Sequence, residues 1–204
     1  MPAHFALGLV IGLLGVAYNR AILGTLRATE RVGRNSPVRT AAVIGAAVGV
    51  LGWAAPDLVG PGDAITQRML SGSETVLGIG GAFALLFVLR FALGAVSYAA
   101  RTPGGLFAPI LVLGSQGGLV FGALIYRWFP AAGVNPTAYA VVGMAALFTA
   151  VVRAPLTGII LAIELTGTFT LLLPMLAACC AAMVVPALLG EPPIYESLRW
   201  QPRS

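Results

Sequence analysis

The chain has 204 residues, of which 58% are hydrophobic and only 9% charged, and its mean hydropathy is +0.93. A soluble domain is about one-quarter charged, so this composition excludes a single water-soluble core and sets apolar surface against lipid or other membrane-embedded protein. The net charge of +5 is carried by arginine without any lysine; no basic face interleaved with aromatics accompanies it, which excludes a nucleic-acid partner.

The chain reads as a series of membrane helices, several short or interrupted. Phe5 to Arg27 is the first, with Asn19 and Arg20 near its polar end. Arg27 to Pro37 is expected as a charged connector. Arg20, Arg27, Arg31, Arg34 and Arg39 cluster in this loop-like region, and the positive-inside tendency assigns it to the cytoplasm. Val38 to Ala55 is the second helix, closed by Pro56. A Gly- and Pro-rich turn, Asp57 to Gly62, precedes a short helix, Ala64 to Leu70, that Asp63 can cap. Ser71-Gly72-Ser73 breaks the chain, and Thr75 to Ala99 forms a third long span containing Arg90. A glycine-rich loop then leads into a helix from Phe107 to Trp128. Pro130 and Pro136 bracket the next loop. Thr137 to Val152 and Pro155 to Thr166 are short for a crossing, which takes about 20 apolar residues. Leu171 to Leu189 is the last long segment. The tail Gly190-Glu191-Pro192-Pro193-Ile194-Tyr195 is irregular, and a short helix follows. Short hydrophobic pieces broken by Gly and Pro point to a transporter with half-helices near the membrane centre.

Thr102-Pro103-Gly104-Gly105-Leu106-Phe107-Ala108-Pro109 is the most informative stretch. Its glycines permit close approach of backbone to a ligand, and Pro109 suits a first helical turn, where its missing N–H costs nothing. The N–H groups ahead of Pro109 have no helical partner and point along the positive end of the helix dipole, an arrangement that binds an anion. Between two membrane-length runs, such irregular backbone is tolerated only where it is buried in protein or lines a wet cavity. Cys179 and Cys180 lie together in an apolar run and read as small hydrophobes, and His4 is alone near the start. No Ser/His pair, paired helical aspartates or HExxH string supports an enzyme. No basic start and cleavage site suggest a signal peptide.

Gly104 to Pro109 resembles the GxFxP anion-binding motif of the CLC chloride channels and chloride/proton antiporters. A second block, Met144 to Phe148 and Arg153 to Thr166, is similar to that family's paired helices downstream. A third, Pro192-Pro193-Ile194-Tyr195, is similar to the segment carrying its pore tyrosine. The resemblance implies an all-α membrane fold of about nine membrane or re-entrant helices. It makes residues 1–204 a single domain, the C-terminal inverted-repeat half of the CLC fold. The family's serine loop, gating glutamate and internal proton-loading glutamate have no counterpart here and belong to the N-terminal half.

By the same resemblance Gly105, Leu106, Phe107 and Tyr195 bind the anion: the amides of Leu106 and Phe107 donate, Gly105 allows close approach, and the Tyr195 hydroxyl donates to the same anion. Phe107 as a packing residue at a helix start and Tyr195 as an interfacial tyrosine are the bland alternatives. Arg90, Arg153 and Glu164 are intramembrane charges. They are expected to hold the fold, Arg153 by binding helix-end carbonyls and Glu164 by accepting hydrogen bonds, with a proton route through Glu164 as the less favoured reading. Arg90 either satisfies buried carbonyls or raises the local potential for anions.

The function implied is chloride transport as part of a channel or chloride/proton antiporter, with chloride as transported ligand, no cofactor and no metal. The alternative is a non-transporting remnant or assembly subunit. The expected partners are membrane lipid, the N-terminal half, and a second copy meeting this one through helices in 155–189. The expected location is the bacterial inner membrane, with multiple crossings.

Overall fold

A computed structural model describes residues 2–33, 37–54, 76–100, 105–129 and 135–199. Among these the regular structure is helical throughout: α1 (Pro2–Gly33), α2 (Pro37–Ala54), α3 (Val76–Ala99), α4 (Phe107–Trp128), α5 (Pro136–Val152), α6 (Pro155–Thr166), a 3-10 turn (Phe169–Leu171), α7 (Leu172–Leu188) and α8 (Ile194–Arg199). Three of them, α1, α4 and the 3-10 turn continued by α7, are long and apolar enough to cross a membrane. The turn and short helix expected between 56 and 73 lie outside the described residues, as do Arg34 and Thr102 to Gly104.

At the centre of the bundle is α5, which meets α4, α1, α7 and α6. It is apolar on every face, and every residue from Tyr139 to Val151 is buried, as a helix enclosed by other helices requires. Its start is set locally: Asn135 precedes Pro136 at the first helical position, and the Asn135 side chain accepts from the Thr137 N–H at 3.0 Å. Seventeen residues span about 25 Å, short of the roughly 30 Å hydrocarbon layer, and the twelve of α6 span about 18 Å.

α4 and α5 run antiparallel in the most extensive helix contact of the fold. Gly114, Gly118 and Gly122 recur every fourth residue on α4 and face Gly143, Tyr139 and Pro136 of α5 in turn. A Cβ on Gly118 would collide with the Tyr139 carbonyl, and one on Gly143 would lie 2.9 Å from the Gly118 Cα. This stripe of small residues brings the two backbones into contact, the usual basis of helix association where lipid leaves no hydrophobic driving force. Gly8 and Gly12 of α1 likewise admit Ala178, Ala181, Ala182 and Val185 of α7. On α6, Gly158 lies against Ala145, Phe148 and Thr149 of α5.

The expected connector from Arg27 to Pro37 is corrected: α1 continues without a break to Gly33, so Arg27 and Arg31 are helical. Two threonines one turn apart account for the extension. Thr25 Oγ1 donates to the Ala21 carbonyl at 2.9 Å and lies 3.0 Å from the Ala95 carbonyl, and Thr29 Oγ1 donates to the Thr25 carbonyl at 3.0 Å while reaching Ala99 at 3.5 Å. The end of α3 thus supports the last turns of α1. The His4 ring stacks on Tyr139 with centroids 4.6 Å apart. Cys179 is buried, Cys180 is exposed, and both are free thiols.

Candidate functional site: an uncapped helix start beside a clamped tail

α4 begins at Phe107, with Leu106 in the capping position and no side chain capping it. The first backbone bond into the helix runs from the Ile110 N–H to the Leu106 carbonyl at 3.1 Å. Pro109 has no N–H, so Leu106, Phe107 and Ala108 carry the donors of the first turn, and no hydrogen bond reaches them among the described residues. Gly105 is exposed, and a Cβ built on it would find only the Phe107 nitrogen within 4 Å among the described residues. Leu106 is buried; the half-exposed Phe107 ring meets Phe148 of α5 edge-on, with centroids 5.9 Å apart.

Phe148 lies one turn before the end of α5, where Arg153 closes the helix. Arg153 is the one non-glycine residue with positive φ among the described residues (64°), and its N–H bonds the Thr149 carbonyl at 2.9 Å. Its guanidinium crosses to the tail, where Nη2 donates to the Glu191 carbonyl at 2.6 Å. Four residues beyond Glu191, Tyr195 sits in the first turn of α8, half-exposed and within electrostatic reach of Tyr98 near the end of α3. The fully buried Ile194 fixes α8 to the bundle, where it rests on α1 and α5. The start of α4, the end of α5, the end of α3 and the tail therefore occupy one end of the bundle. A cavity of about 400 Å³ between α1, α2 and α3, lined by Ala28, Thr29, Arg39, Thr40, Val43, Ile44 and Val96, includes none of these residues.

Residues 1–187 match the family described as voltage gated chloride channel. The chain belongs to this family. Among its relatives, the H(+)/Cl(-) exchange transporter ClcA of Vibrio cholerae is 37% identical over 195 residues, and that of Vibrio parahaemolyticus is 35% identical over the same length; each alignment covers 94% of this chain and 41% of the relative. The crystal structure of a slow cyanobacterial Cl-/H+ antiporter superposes with a TM-score of 0.80 at 30% identity, covering 96% of this chain and 45% of the other. A eukaryotic CLC transporter superposes with a TM-score of 0.76 at 26% identity. This CLC chain is thus an all-helical, multi-pass integral membrane protein spanning about two-fifths of the length of the curated relatives it matches.

Of the three intramembrane charges singled out in this CLC chain, Arg90 is buried in α3 and engaged within the protein. Arg153 bonds a tail carbonyl and does not pair with Glu164. The hydrogen-bond-accepting role expected of Glu164 is corrected: the residue stands exposed on α6 and no hydrogen bond reaches it among the described residues, because α6 presents it on the face turned away from α5. Sequence reasoning passed over Arg20 and Glu191. Arg20 Nε and Nη2 both donate to the Glu191 carboxylate, at 2.7 and 2.5 Å, across 171 positions of sequence. The one available signal was an acid standing between a glycine turn and a Pro-Pro pair.

Proposed function

We propose that this chain forms one wall of an anion pathway in a chloride/proton exchange transporter of the CLC kind, acting in a bacterial inner membrane. The Leu106 and Phe107 N–H groups and the Tyr195 hydroxyl are the donors that replace the anion's water. The observation that carries the reading is the uncapped start of α4, whose first-turn N–H groups bond nothing among the described residues, in a bundle end that also holds Tyr195. Partial charges suit the task, since conduction needs binding weak enough to release the ion. Phe107 walls the site, and its ring on Phe148 fixes the direction of the first turn. The remainder of the transporter supplies the opposite wall and the gating carboxylate, and a second copy packs against the exposed apolar faces of α6 and α7.

The test is calorimetric chloride titration of the chain co-expressed with an N-terminal CLC half. Tyr195→Phe keeps the ring and removes one neutral hydrogen bond, worth about 0.5–1.5 kcal/mol, so affinity should fall by about 2- to 13-fold while backbone donors sustain residual binding. Unchanged affinity would remove Tyr195 from the site. Liposomes holding the 204-residue chain by itself should show no selective chloride flux; robust saturable efflux from them would overturn the two-wall reading.

A further inference from the structure

Glu191 is held through its N–H, its carbonyl and one oxygen of its carboxylate. Its N–H donates to the Pro186 carbonyl at 3.0 Å, its carbonyl accepts from Arg153 at 2.6 Å, and one carboxylate oxygen accepts from both Arg20 Nε and Nη2. Gly190, with φ of +66°, makes the turn that delivers Glu191 to this position. Pro192 and Pro193, whose φ angles are fixed, join it to the buried Ile194, and Tyr195 follows directly. Neither partner belongs to the tail: Arg20 comes from the middle of α1 and Arg153 from the end of α5.

We propose that Glu191, gripped by Arg20 through its carboxylate and by Arg153 through its carbonyl, is the positioning residue that sets where the Tyr195 hydroxyl stands and so tunes anion affinity from a distance. This rests on the reading of Tyr195 as an anion donor. Arg20 is 62% exposed and Glu191 18%, and an ion pair of that kind adds little to stability. What it does supply is geometric. Without the pair, Glu191 keeps its backbone bonds and α8 keeps its packing on α1, but the tail loses its ion pair to α1, and a stiff Pro-Pro link passes any displacement of Glu191 on to the next turn.

The experiment uses the chain co-expressed with an N-terminal CLC half, with 3-fluorotyrosine at position 195 as a ¹⁹F probe and chloride as the titrant. Arg20→Gln and Glu191→Gln should each shift or broaden the 195 resonance and weaken chloride binding by a few-fold, with little change in melting temperature. Either change combined with Tyr195→Phe should lose no more affinity than Tyr195→Phe alone, since both act through one hydroxyl. The exchange R20E/E191R should restore the resonance and the affinity. If Tyr195→Phe leaves affinity unchanged, the donor role fails, while the ¹⁹F shift and its recovery in the exchanged pair still establish the clamp. A resonance unmoved by Arg20→Gln, or no recovery in the exchanged pair, overturns the proposal.

Discussion

Replacing Gly118 by alanine should push α4 and α5 apart. An ideal Cβ at this position falls within collision distance of the Tyr139 carbonyl oxygen, 2.8 Å from the carbonyl carbon and 3.0 Å from the Ala140 Cα. All three are backbone atoms of a central, fully enclosed helix, so no rotamer change can yield, and the helices must separate by about 1 Å to regain van der Waals spacing. Overpacking of this kind costs about 1–3 kcal/mol. Gly24 of α1 provides the internal control. Nothing lies within 4 Å of its Cβ position, so Gly24→Ala gains helix propensity, about 1 kcal/mol at most, with no collision. Thermal unfolding of the detergent-solubilised protein should show Gly118→Ala melting roughly 2–12 °C below the parent, at about 2–4 °C per kcal/mol for a chain of this size, and Gly24→Ala melting at or above it. Equal melting temperatures for the two variants would refute the claim that backbone contact along the glycine stripe holds α4 in place.

Arg153 combines a left-handed backbone with a bond to the Glu191 carbonyl. Arg153→Gly and Arg153→Ala both lose the bond, but only alanine retains the strain, about 1–2 kcal/mol for a side-chain-bearing residue, so denaturant melts should rank glycine above alanine. Gln116 is fully buried in α4, and neither of its amide atoms has a partner among the described residues. Gln116→Met, close in volume, removes an unsatisfied group worth about 1–3 kcal/mol and should raise the melting temperature; a fall would show that the amide is satisfied in the membrane.

The elements that punctuation defines were legible in the sequence. Trp128 ends α4 ahead of Pro130, Pro136 and Pro155 open α5 and α6 at their first helical positions, and Gly167 in the left-handed conformation ends α6. The donor-rich start of α4 was legible for the same reason, since Pro109 fixes where the unpaired N–H groups fall. The reach of α1 to Gly33 was not, because its last turns are polar and are held by α3 residues some seventy positions away. The Arg20–Glu191 pair was hidden by the same distance effect: each residue by itself is an unremarkable charge in a polar stretch. Glu164 misled in the opposite direction. An acid inside an apolar run suggests a buried partner, yet which face of a short helix it occupies depends on the packing of Gly158 against α5.

The brevity of α6 bears on how the chain enters the bilayer. A helix of about 18 Å cannot reach both faces of a roughly 30 Å hydrocarbon layer, so the backbone at one of its ends, Ala154 or Gly167-Thr168, meets lipid unless α5 and α7 flank it. Polar backbone groups exposed there cost several kcal/mol each, and a nascent chain that has emerged only as far as Gly167 offers α6 no such shelter. Its hydropathy cannot release it into lipid as an independent segment. On this reasoning residues 136–188 should leave the insertion machinery together, so that membrane integration and tertiary folding of these three helices coincide.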